Sequence, residues 1–176
     1  MKSFKSQKTG DAYLDIETTG LSFFYDVITV IGIYLCNSNN KQNRLIQLYG
    51  DQVTCDNLKE ALQDVGTIYT YNGRRFDLPF IESFLGINLE TQFYHRDLMY
   101  DCWACNLKGG FKAVERQLQI SRQTEGITGF DAVRLWWKYR ESYDEDALNL
   151  LLRYNGEDVI NLKELRAKLS DYKSRV

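Results

Sequence analysis

The order of strand-like and helix-like segments restricts the fold of this chain more than any other feature. Three segments rich in β-branched and aromatic residues come first, at residues 12–16, 27–35 and 44–49. A polar stretch joins the second segment to the third, which indicates a hairpin, so the three segments predict an antiparallel meander. A helical pattern at residues 56–64 then leads to a fourth strand at residues 67–71. A strand reached through a helix is typical of a crossover unit.

Helical patterns account for most of the remaining chain. Residues 77–85 predict a helix with Pro79 in its first turn, where the missing N–H costs little, and with Asp77 as the N-cap. A short last strand is predicted at residues 93–95. Further helices are predicted at residues 97–107, 111–118, 129–139 and 144 to about 170. The sequence therefore predicts an α/β fold in which a mixed sheet is flanked by helices.

Length and composition fit a single globular domain. The chain has 176 residues with 44% hydrophobic, 26% charged and one Pro, which excludes disordered, collagen-like and Pro-rich proteins. We expect one domain over residues 11–176 after a basic tail at residues 1–10. No apolar run reaches the roughly 20 residues that span a bilayer, and the first ten residues lack the apolar stretch of an export signal. These features predict a cytoplasmic protein without a membrane partner, in which the four cysteines are free thiols.

The net charge of −2 lacks the basic excess that is usual in nucleic-acid-binding proteins. The charges are nevertheless sorted along the chain. Residues 108–140 hold seven basic and three acidic side chains, whereas residues 141–160 hold six acidic side chains and one arginine. A nucleic-acid ligand is therefore compatible with the charge pattern.

Two carboxylates on the first predicted strand are the first candidate for chemistry. Asp15 and Glu17 are two residues apart, so they share one face of a strand while Leu14 and Ile16 share the other. Acidic side chains are depleted from strands, and two like charges repel unless a cation lies between them. The pair is thus compatible with a metal site, or with solvated carboxylates at a turn if the strand has already ended.

Further carboxylates follow at the start of one predicted helix and within another. Asp77 comes directly after an Asn-Gly turn, and Asp158 lies four residues after Tyr154, on the same helical face. Carboxylate oxygens suit Mg²⁺ or Mn²⁺ better than zinc. The spacing leaves open whether Asp15, Glu17, Asp77 and Asp158 converge.

Three segments resemble the motifs of one nuclease family. Asp15-Ile-Glu-Thr-Thr-Gly20 resembles the first motif of the DEDD 3′→5′ exonucleases of the ribonuclease H-like superfamily, and Tyr71-Asn-Gly-Arg-Arg-Phe-Asp77 resembles the second. Tyr154-Asn-Gly-Glu-Asp158 resembles the third motif in its tyrosine form, called DEDDy. Residues 95–98, 110–115 and 126–139 are similar to the YprB-type ribonuclease H-like domain. The resemblance extends over about residues 11–169.

The resemblance implies a five-stranded mixed sheet in the order 3-2-1-4-5 and a two-metal-ion exonuclease. Single-stranded 3′ ends of DNA or RNA would be hydrolysed to nucleoside 5′-monophosphates with two Mg²⁺ or Mn²⁺ ions. Asp15 would bridge the ions, Glu17 and Asp158 would complete the site that binds the attacking water, and Asp77 would hold the second ion largely through water. Tyr154 is expected to orient the water, because a phenol with a pKa of about 10 is a poor base at neutral pH.

Contacts to the substrate are expected beside the first two motifs. The predicted substrate-binding residues are Thr18, Thr19, Gly20, Asn72 and Arg74. For Arg74 and its neighbour Arg75, solvated charges at a turn are an equally good interpretation. Because a strong basic patch is missing, we expect weak, salt-sensitive binding of nucleic acid or a protein partner that supplies affinity.

Other polar and aromatic residues have two interpretations each. Arg134, Lys138 and Arg140 fit a backbone-tracking surface, although a solvated helix face is favoured. Trp136, Trp137 and Tyr139 fit base stacking, although core packing is favoured. Asp97 is a rival carboxylate, and His95, the only histidine, is expected to be structural.

Two other functions are compatible with the same motifs. One is a nucleic-acid-binding module of a larger assembly that keeps the fold without turnover. The other is a structure-selective endonuclease on the same fold. The presence of all four carboxylates and the tyrosine favours an active exonuclease.

Overall fold

The structure of the chain, a computed structural model, describes residues 10–36 and 43–173, with side chains described up to residue 171. Residues 1–9 of the predicted basic tail lie outside the described residues, and Gly10 is the first residue of a strand. In chain order the elements are β1 (Gly10–Thr18), β2 (Ile28–Cys36), β3 (Asn43–Tyr49), a 3-10 turn (Gly50–Gln52), α1 (Cys55–Ala61), β4 (Val65–Thr70), α2 (Asp77–Leu85), β5 (Tyr94–Asp97), α3 (Leu98–Ala104), α4 (Phe111–Leu118), α5 (Gly129–Ser142) and α6 (Glu145–Lys173).

The five strands form one mixed sheet in the order β3-β2-β1-β4-β5. Strands β1, β2 and β3 pair antiparallel, whereas β4 pairs parallel with both β1 and β5. The predicted meander, the crossover and the strand order are all confirmed. Strand β1 is therefore the central strand, and its side chains meet helices on both faces of the sheet.

Helices cover the two faces of the sheet with separate apolar cores. Leu14 and Ile16 of β1 pack in one core with side chains of α1 and α2, including Leu58 and Phe80. Tyr13 packs in the other core with residues of α3, α4 and α6. This alternation along β1 follows from the two-residue period of a strand, and it directs odd-numbered side chains of β1 towards α6. No helix in the described residues combines the length and apolar composition needed to cross a membrane.

A glycine in β2 lets α6 lie close to the sheet. Gly32 is the partner of Asp15 in the β1–β2 ladder. A Cβ atom at Gly32 would come within 2.2 Å of Oδ1 of the fully buried Asn155 in α6. Only a glycine fits at this approach, which sets the distance between α6 and β1.

The predicted role of Asp77 as an N-cap is wrong. Helix α2 begins at Asp77, and the N-cap is Phe76 without a side-chain hydrogen bond, although Pro79 does lie in the first turn. The β1–β4 ladder ends at Tyr13, and the buried Asp77 Oδ1 accepts a hydrogen bond of 3.1 Å from the backbone N–H of Ile16 beyond that point. The Asp77 carboxylate therefore accepts a hydrogen bond from the central strand and does not cap its own helix.

Candidate metal centre

Three carboxylates meet between the central strand and α6. Asp15 and Glu17 extend from the α6 side of β1, and Asp158 extends from α6. One carboxylate oxygen from each lies within 4.8 Å of the others. Strand β1 continues to Thr18, so the interpretation of Asp15 and Glu17 as solvated turn residues is wrong. Glu17 and Asp158 are only 8% and 6% exposed.

The fourth predicted carboxylate, Asp77, lies next to this cluster but outside it. Its Oδ1 is bonded to the N–H of Ile16, which stands between Asp15 and Glu17 in β1. Burial is the main cause that raises the pKa of Asp77 to about 7, and the charges of Asp97 and Asp158 add to it. Asp77 is thus close enough to share the electrostatic field of the cluster.

Burial and mutual repulsion disfavour four negative charges at this position. Burial and the charge of Asp158 raise the pKa values of Asp15 and Glu17 well above their usual range. The pKa of Asp158 is raised to about 6, because its burial outweighs the attraction of Arg122. Convergent carboxylate oxygens are the ligand type that Mg²⁺ and Mn²⁺ prefer. The residues therefore fit a divalent cation, which would offset the repulsion.

Asn155 orients Asp15 through a short hydrogen-bond chain. Its Nδ2 donates to Asp15 Oδ2 at 3.3 Å and lies 3.4 Å from the Asp15 carbonyl oxygen. Gln47 of β3 donates to Asn155 Oδ1 at 3.0 Å and to the Leu152 carbonyl at 2.7 Å, which fixes the amide orientation. The sequence analysis assigned no role to Asn155. Its position directly after Tyr154, inside the third motif, was the one feature of the sequence that pointed to it.

Tyr154 is held from the opposite side by a lysine that the sequence analysis did not assign. Lys112 Nζ donates to the Tyr154 hydroxyl at 2.7 Å and also to the Ile127 carbonyl. An ammonium has only donors, so the Tyr154 oxygen is the acceptor and its own proton is directed elsewhere. Burial and the charges of Asp158 and Glu17 raise the pKa of Tyr154, which keeps the hydroxyl protonated. Tyr154 is therefore a hydrogen-bond donor to its remaining neighbours.

Asp158 is paired with a buried arginine. Arg122 Nη2 donates to Asp158 Oδ1 at 2.5 Å and to Glu115 Oε1 at 2.7 Å, while its Nε donates to Glu115 Oε2 at 3.0 Å. The Arg122, Glu115 and Asp158 side chains are 5%, 2% and 8% exposed. Asn161 donates to Glu115 at 2.7 Å and completes the network. Arg122 thus sets the rotamer of Asp158.

A cavity of about 320 Å³ opens onto the cluster. Its wall includes Tyr71, at the end of β4, which stacks on Phe111 of α4 with ring centroids 5.1 Å apart. The lining residues are Asp15, Tyr71, Gly110, Phe111, Lys112, Ala113, Tyr154 and Asp158. The cavity therefore presents carboxylates, a lysine and a tyrosine to one ligand.

The predicted substrate residues after β1 lie in a tightly bonded loop. Thr18 ends β1 and its hydroxyl donates to the Gly20 carbonyl, whereas the Thr19 hydroxyl donates to Asp26 Oδ1 at 3.0 Å. A Cβ atom at Gly20 would lie 2.5 Å from the Asp26 carboxylate, so a side chain there would displace the carboxylate that closes the loop. The loop directly follows Glu17, and its contact with substrate stays a prediction.

Asp97 organises the second predicted substrate region. Its carboxylate accepts from the N–H groups of Asn72 at 2.8 Å and Arg74 at 3.1 Å, and it caps α3 through Met99 N–H. Asp97 is therefore committed to backbone donors and is not part of the carboxylate cluster. The exposed Arg74 side chain donates from Nε to Glu90 at 3.2 Å.

The favoured interpretations hold for His95, for Trp136 and for the basic residues of α5. Core packing is wrong for Trp137, which lies on the exposed side of α5. His95 is hydrogen-bonded through Nε2 to the Thr70 hydroxyl at 2.9 Å, which supports a structural role. Trp136 is 6% exposed and lies in the core, whereas Trp137 is 47% exposed and Tyr139 is half-buried. The three basic residues of α5 are exposed, namely Arg134, Lys138 and Arg140.

The raised carboxyl pKa values predict an unusual pH dependence for the metal-free protein. Unfolded Asp has a pKa of about 3.9, whereas folded Asp77 and Asp158 have pKa values of about 7 and about 6. At pH values between the unfolded and the folded pKa, the folded state binds more protons than the unfolded state. The free energy of unfolding should therefore fall as pH rises from about 4 to 7. Urea unfolding in EDTA across this range measures the slope. Mg²⁺ should restore stability most at high pH, and a stability that rises with pH in EDTA would contradict this account.

The sequence pattern of the RNase H superfamily matches residues 12–170. A search of curated proteins finds no match.

Solved structures with a similar fold include two of NrnC from Brucella melitensis. NrnC bound to pGG is 19% identical, has a TM-score of 0.63, and aligns over 99% of this chain and 78% of that chain. NrnC with bound Mg²⁺ is 19% identical, has a TM-score of 0.62, and aligns over 99% and 79%. A third structure, an apo form of a nuclease, is 20% identical with a TM-score of 0.62 and aligns over 96% and 75%. These likenesses show a shared fold.

Proposed function

This chain belongs to the RNase H superfamily, and on that premise we propose that it is a metal-dependent 3′→5′ exonuclease of the DEDDy type. The observation that carries the proposal is the convergence of Asp15, Glu17 and Asp158 beside Tyr154. NrnC, which shares the fold, has been solved with pGG and with Mg²⁺. The proposed substrate is a single-stranded 3′ end of DNA or RNA, and the products are nucleoside 5′-monophosphates.

We assign the metal ligands from the carboxylates of this chain. These carboxylates would hold two Mg²⁺ or Mn²⁺ ions: Asp15 would serve both, Glu17 and Asp158 would hold one of them, and Asp77 would contribute to the other. Divalent cations at a phosphodiester stabilise the attacking and leaving oxygens and lower the pKa of bound water. Asn155 and Arg122 keep Asp15 and Asp158 in fixed orientations, so the ligands are organised before substrate arrives.

Tyr154 and Lys112 act on the substrate side of the cavity. Because Lys112 donates to the phenol oxygen, the Tyr154 proton is available to a water or a phosphate oxygen. The role of Tyr154 is to orient the attacking water by hydrogen bonding while it stays protonated. The Lys112 ammonium adds positive charge where the phosphate binds.

Replacing Lys112 with Met should lower kcat by about 10²-fold with a smaller change in KM, because Tyr154 loses the donor that sets its proton direction. Steady-state hydrolysis of a labelled oligonucleotide measures both constants. Arg116→Met, on the exposed side of the same helix, is the control and should behave as wild type. An equal effect of both variants would exclude a specific role for Lys112.

A time course with 5′-labelled single-stranded DNA and RNA in Mg²⁺ or Mn²⁺ tests the function directly. Wild type and the control Glu164→Ala, an exposed change on α6, should produce a ladder that shortens from the 3′ end. Asp158→Ala should leave the substrate intact. Internal cuts in a circular substrate would instead indicate an endonuclease, and binding without turnover would indicate a nucleic-acid-binding module. The cytoplasmic location and a protein partner that supplies affinity stay predictions from the sequence.

A further inference from the structure

Exposed aromatic rings and cations lie together on α3 and the turns beside it. We call Arg75, Tyr100, Trp103 and Lys108 the Trp103 surface. The Trp103 and Tyr100 side chains are 44% and 37% exposed, and their rings meet nearly perpendicular at 5.3 Å. Arg75 Cζ lies 5.8 Å from the centroid of the Trp103 ring. Large aromatic residues exposed beside a guanidinium are typical of a binding surface rather than of a solvated helix face.

One carboxylate holds both parts of the Trp103 surface in place. Asp97 accepts from the N–H groups of Asn72 and Arg74, which closes the turn that carries Arg75. The same carboxylate accepts from Met99 N–H and caps α3, the helix that carries Trp103. The surface is therefore organised without a ligand, which lowers the entropy that binding would cost.

The Trp103 surface is close in the chain to residues of the metal-site cavity. Arg75 is two residues before Asp77, and Tyr71, which lines the cavity, donates from its hydroxyl to the Gly109 carbonyl at 2.7 Å. Gly109 follows Lys108 and precedes the cavity residue Gly110. A chain-like ligand whose end occupies the cavity can therefore reach this surface by passing along Tyr71.

The charges of this region favour an anionic ligand. Asp101 is paired with Arg96 at 2.8 Å, and Glu90 is paired with Arg74 at 3.2 Å. Arg75 and Lys108 are exposed, and neither forms an ion pair with a carboxylate within the described part of the chain. Cations for phosphate together with a half-exposed aromatic ring for a base match single-stranded nucleic acid, because the bases of a duplex are already stacked on each other.

We propose that the Trp103 surface binds single-stranded nucleic acid on the 5′ side of the nucleotide in the cavity. One base stacks on Trp103, and Arg75 and Lys108 contact the adjoining phosphates. The proposal deepens the proposed function and rests on it for the position of the 3′ end. Binding to the surface itself does not require turnover.

Tryptophan fluorescence in EDTA tests the binding without catalysis. Titration with single-stranded oligothymidylate should quench the emission of wild type and of Trp137→Phe, whose changed residue is an exposed tryptophan on α5. Trp103→Phe should lose the quenching, because the stacked fluorophore is gone. Equal quenching in Trp103→Phe and wild type would overturn the proposal.

Anisotropy of a labelled strand measures the affinity. Trp103→Ala should weaken binding by about tenfold, within the range for loss of one stacked base. Arg75→Gln should reduce the slope of log K against log salt by about 0.7, the value for one phosphate contact on a single strand. Trp137→Ala and Arg134→Gln are the matched controls. If the two controls lose as much affinity and salt dependence as the Trp103 and Arg75 variants, the proposal fails.

Hydrolysis of substrates of different length separates the two proposals. Trp103→Ala should raise KM for a long single strand by about tenfold. Hydrolysis of p-nitrophenyl thymidine 5′-monophosphate should be unchanged, because this substrate has no nucleotide on the 5′ side of the one in the cavity. If wild type hydrolyses nothing but the Trp103-dependent quenching is present, the exonuclease assignment fails and the binding surface stands. If wild type hydrolyses the substrates and Trp103→Ala has the same KM as Trp137→Ala for substrates of every length, the proposed binding surface is wrong and the exonuclease assignment stands.

Discussion

Replacing Asp15 with Asn is expected to reduce hydrolysis by at least about 10³-fold, because in the proposed mechanism the loss of this metal ligand removes several kcal/mol of transition-state stabilisation. The amide has nearly the shape of the carboxylate, so the change removes charge and leaves the packing. Asp15 offers one of the three carboxylate oxygens that lie within 4.8 Å of one another, and the other two belong to Glu17 and Asp158.

The same variant should be more stable than wild type in the absence of metal. Burial together with the charges of Asp158, Asp77 and Glu17 raises the pKa of Asp15, which means that its charged form is destabilised in the fold. Asparagine carries no charge, and its carbonyl oxygen can accept from Asn155 in place of the carboxylate. Each kcal/mol gained should raise Tm by about 2–4 °C in a chain of this size.

Thermal unfolding in EDTA measures the expected gain in stability, and the oligonucleotide assay measures the expected loss of hydrolysis. Asp56→Asn, on the exposed side of α1, serves as the control and should change neither quantity. Retained turnover in Asp15→Asn would remove Asp15 from the metal site. A lower Tm in EDTA would show that repulsion among the carboxylates is not what limits the stability of this region.

Replacing Arg122 with Leu should cost about 3–5 kcal/mol of unfolding free energy, because it leaves two buried carboxylates without their cation. Glu115 and Asp158 both depend on Arg122, and both are nearly inaccessible to water. The expected decrease in Tm is on the order of 10 °C.

Chemical denaturation of a small set of variants measures the effect. Arg134→Leu, an exposed arginine on α5, should change stability by less than about 0.5 kcal/mol. The double variant Arg122→Leu with Glu115→Gln should recover part of the loss, because one uncompensated charge is removed with its partner. If the single Arg122→Leu variant costs less than about 1 kcal/mol, the ion pair with Asp158 is not formed in solution.

Local patterns were sufficient to predict the order of the elements and the faces of β1 and α6 that carry the candidate site residues. The alternation of Leu14 and Ile16 with Asp15 and Glu17 predicted which side of β1 carries carboxylates, because a strand has a period of two whatever surrounds it. The Tyr154 and Asp158 spacing predicted a shared helical face for the same kind of reason. The strand order came from the resemblance rather than from the patterns.

The partners of the site residues required the tertiary structure. Lys112 beside Tyr154, Arg122 beside Asp158 and Asn155 beside Asp15 each depend on how α6 lies against the sheet or against the segment that follows α3. That placement depends in turn on Gly32, whose missing side chain admits Asn155. A one-dimensional pattern records no such contact.

The sequence by itself determined the α/β architecture, the carboxylate face of β1 and which residues are candidate metal ligands. Only the tertiary structure decided that Asp77 accepts a hydrogen bond from the N–H of Ile16 and that Asp97 accepts from backbone N–H groups of two segments. It also decided that a buried arginine forms an ion pair with Asp158. The physical reason is that backbone periodicity is local, whereas hydrogen bonds and ion pairs at the site join residues tens of positions apart. Their partners are chosen by which surfaces pack together.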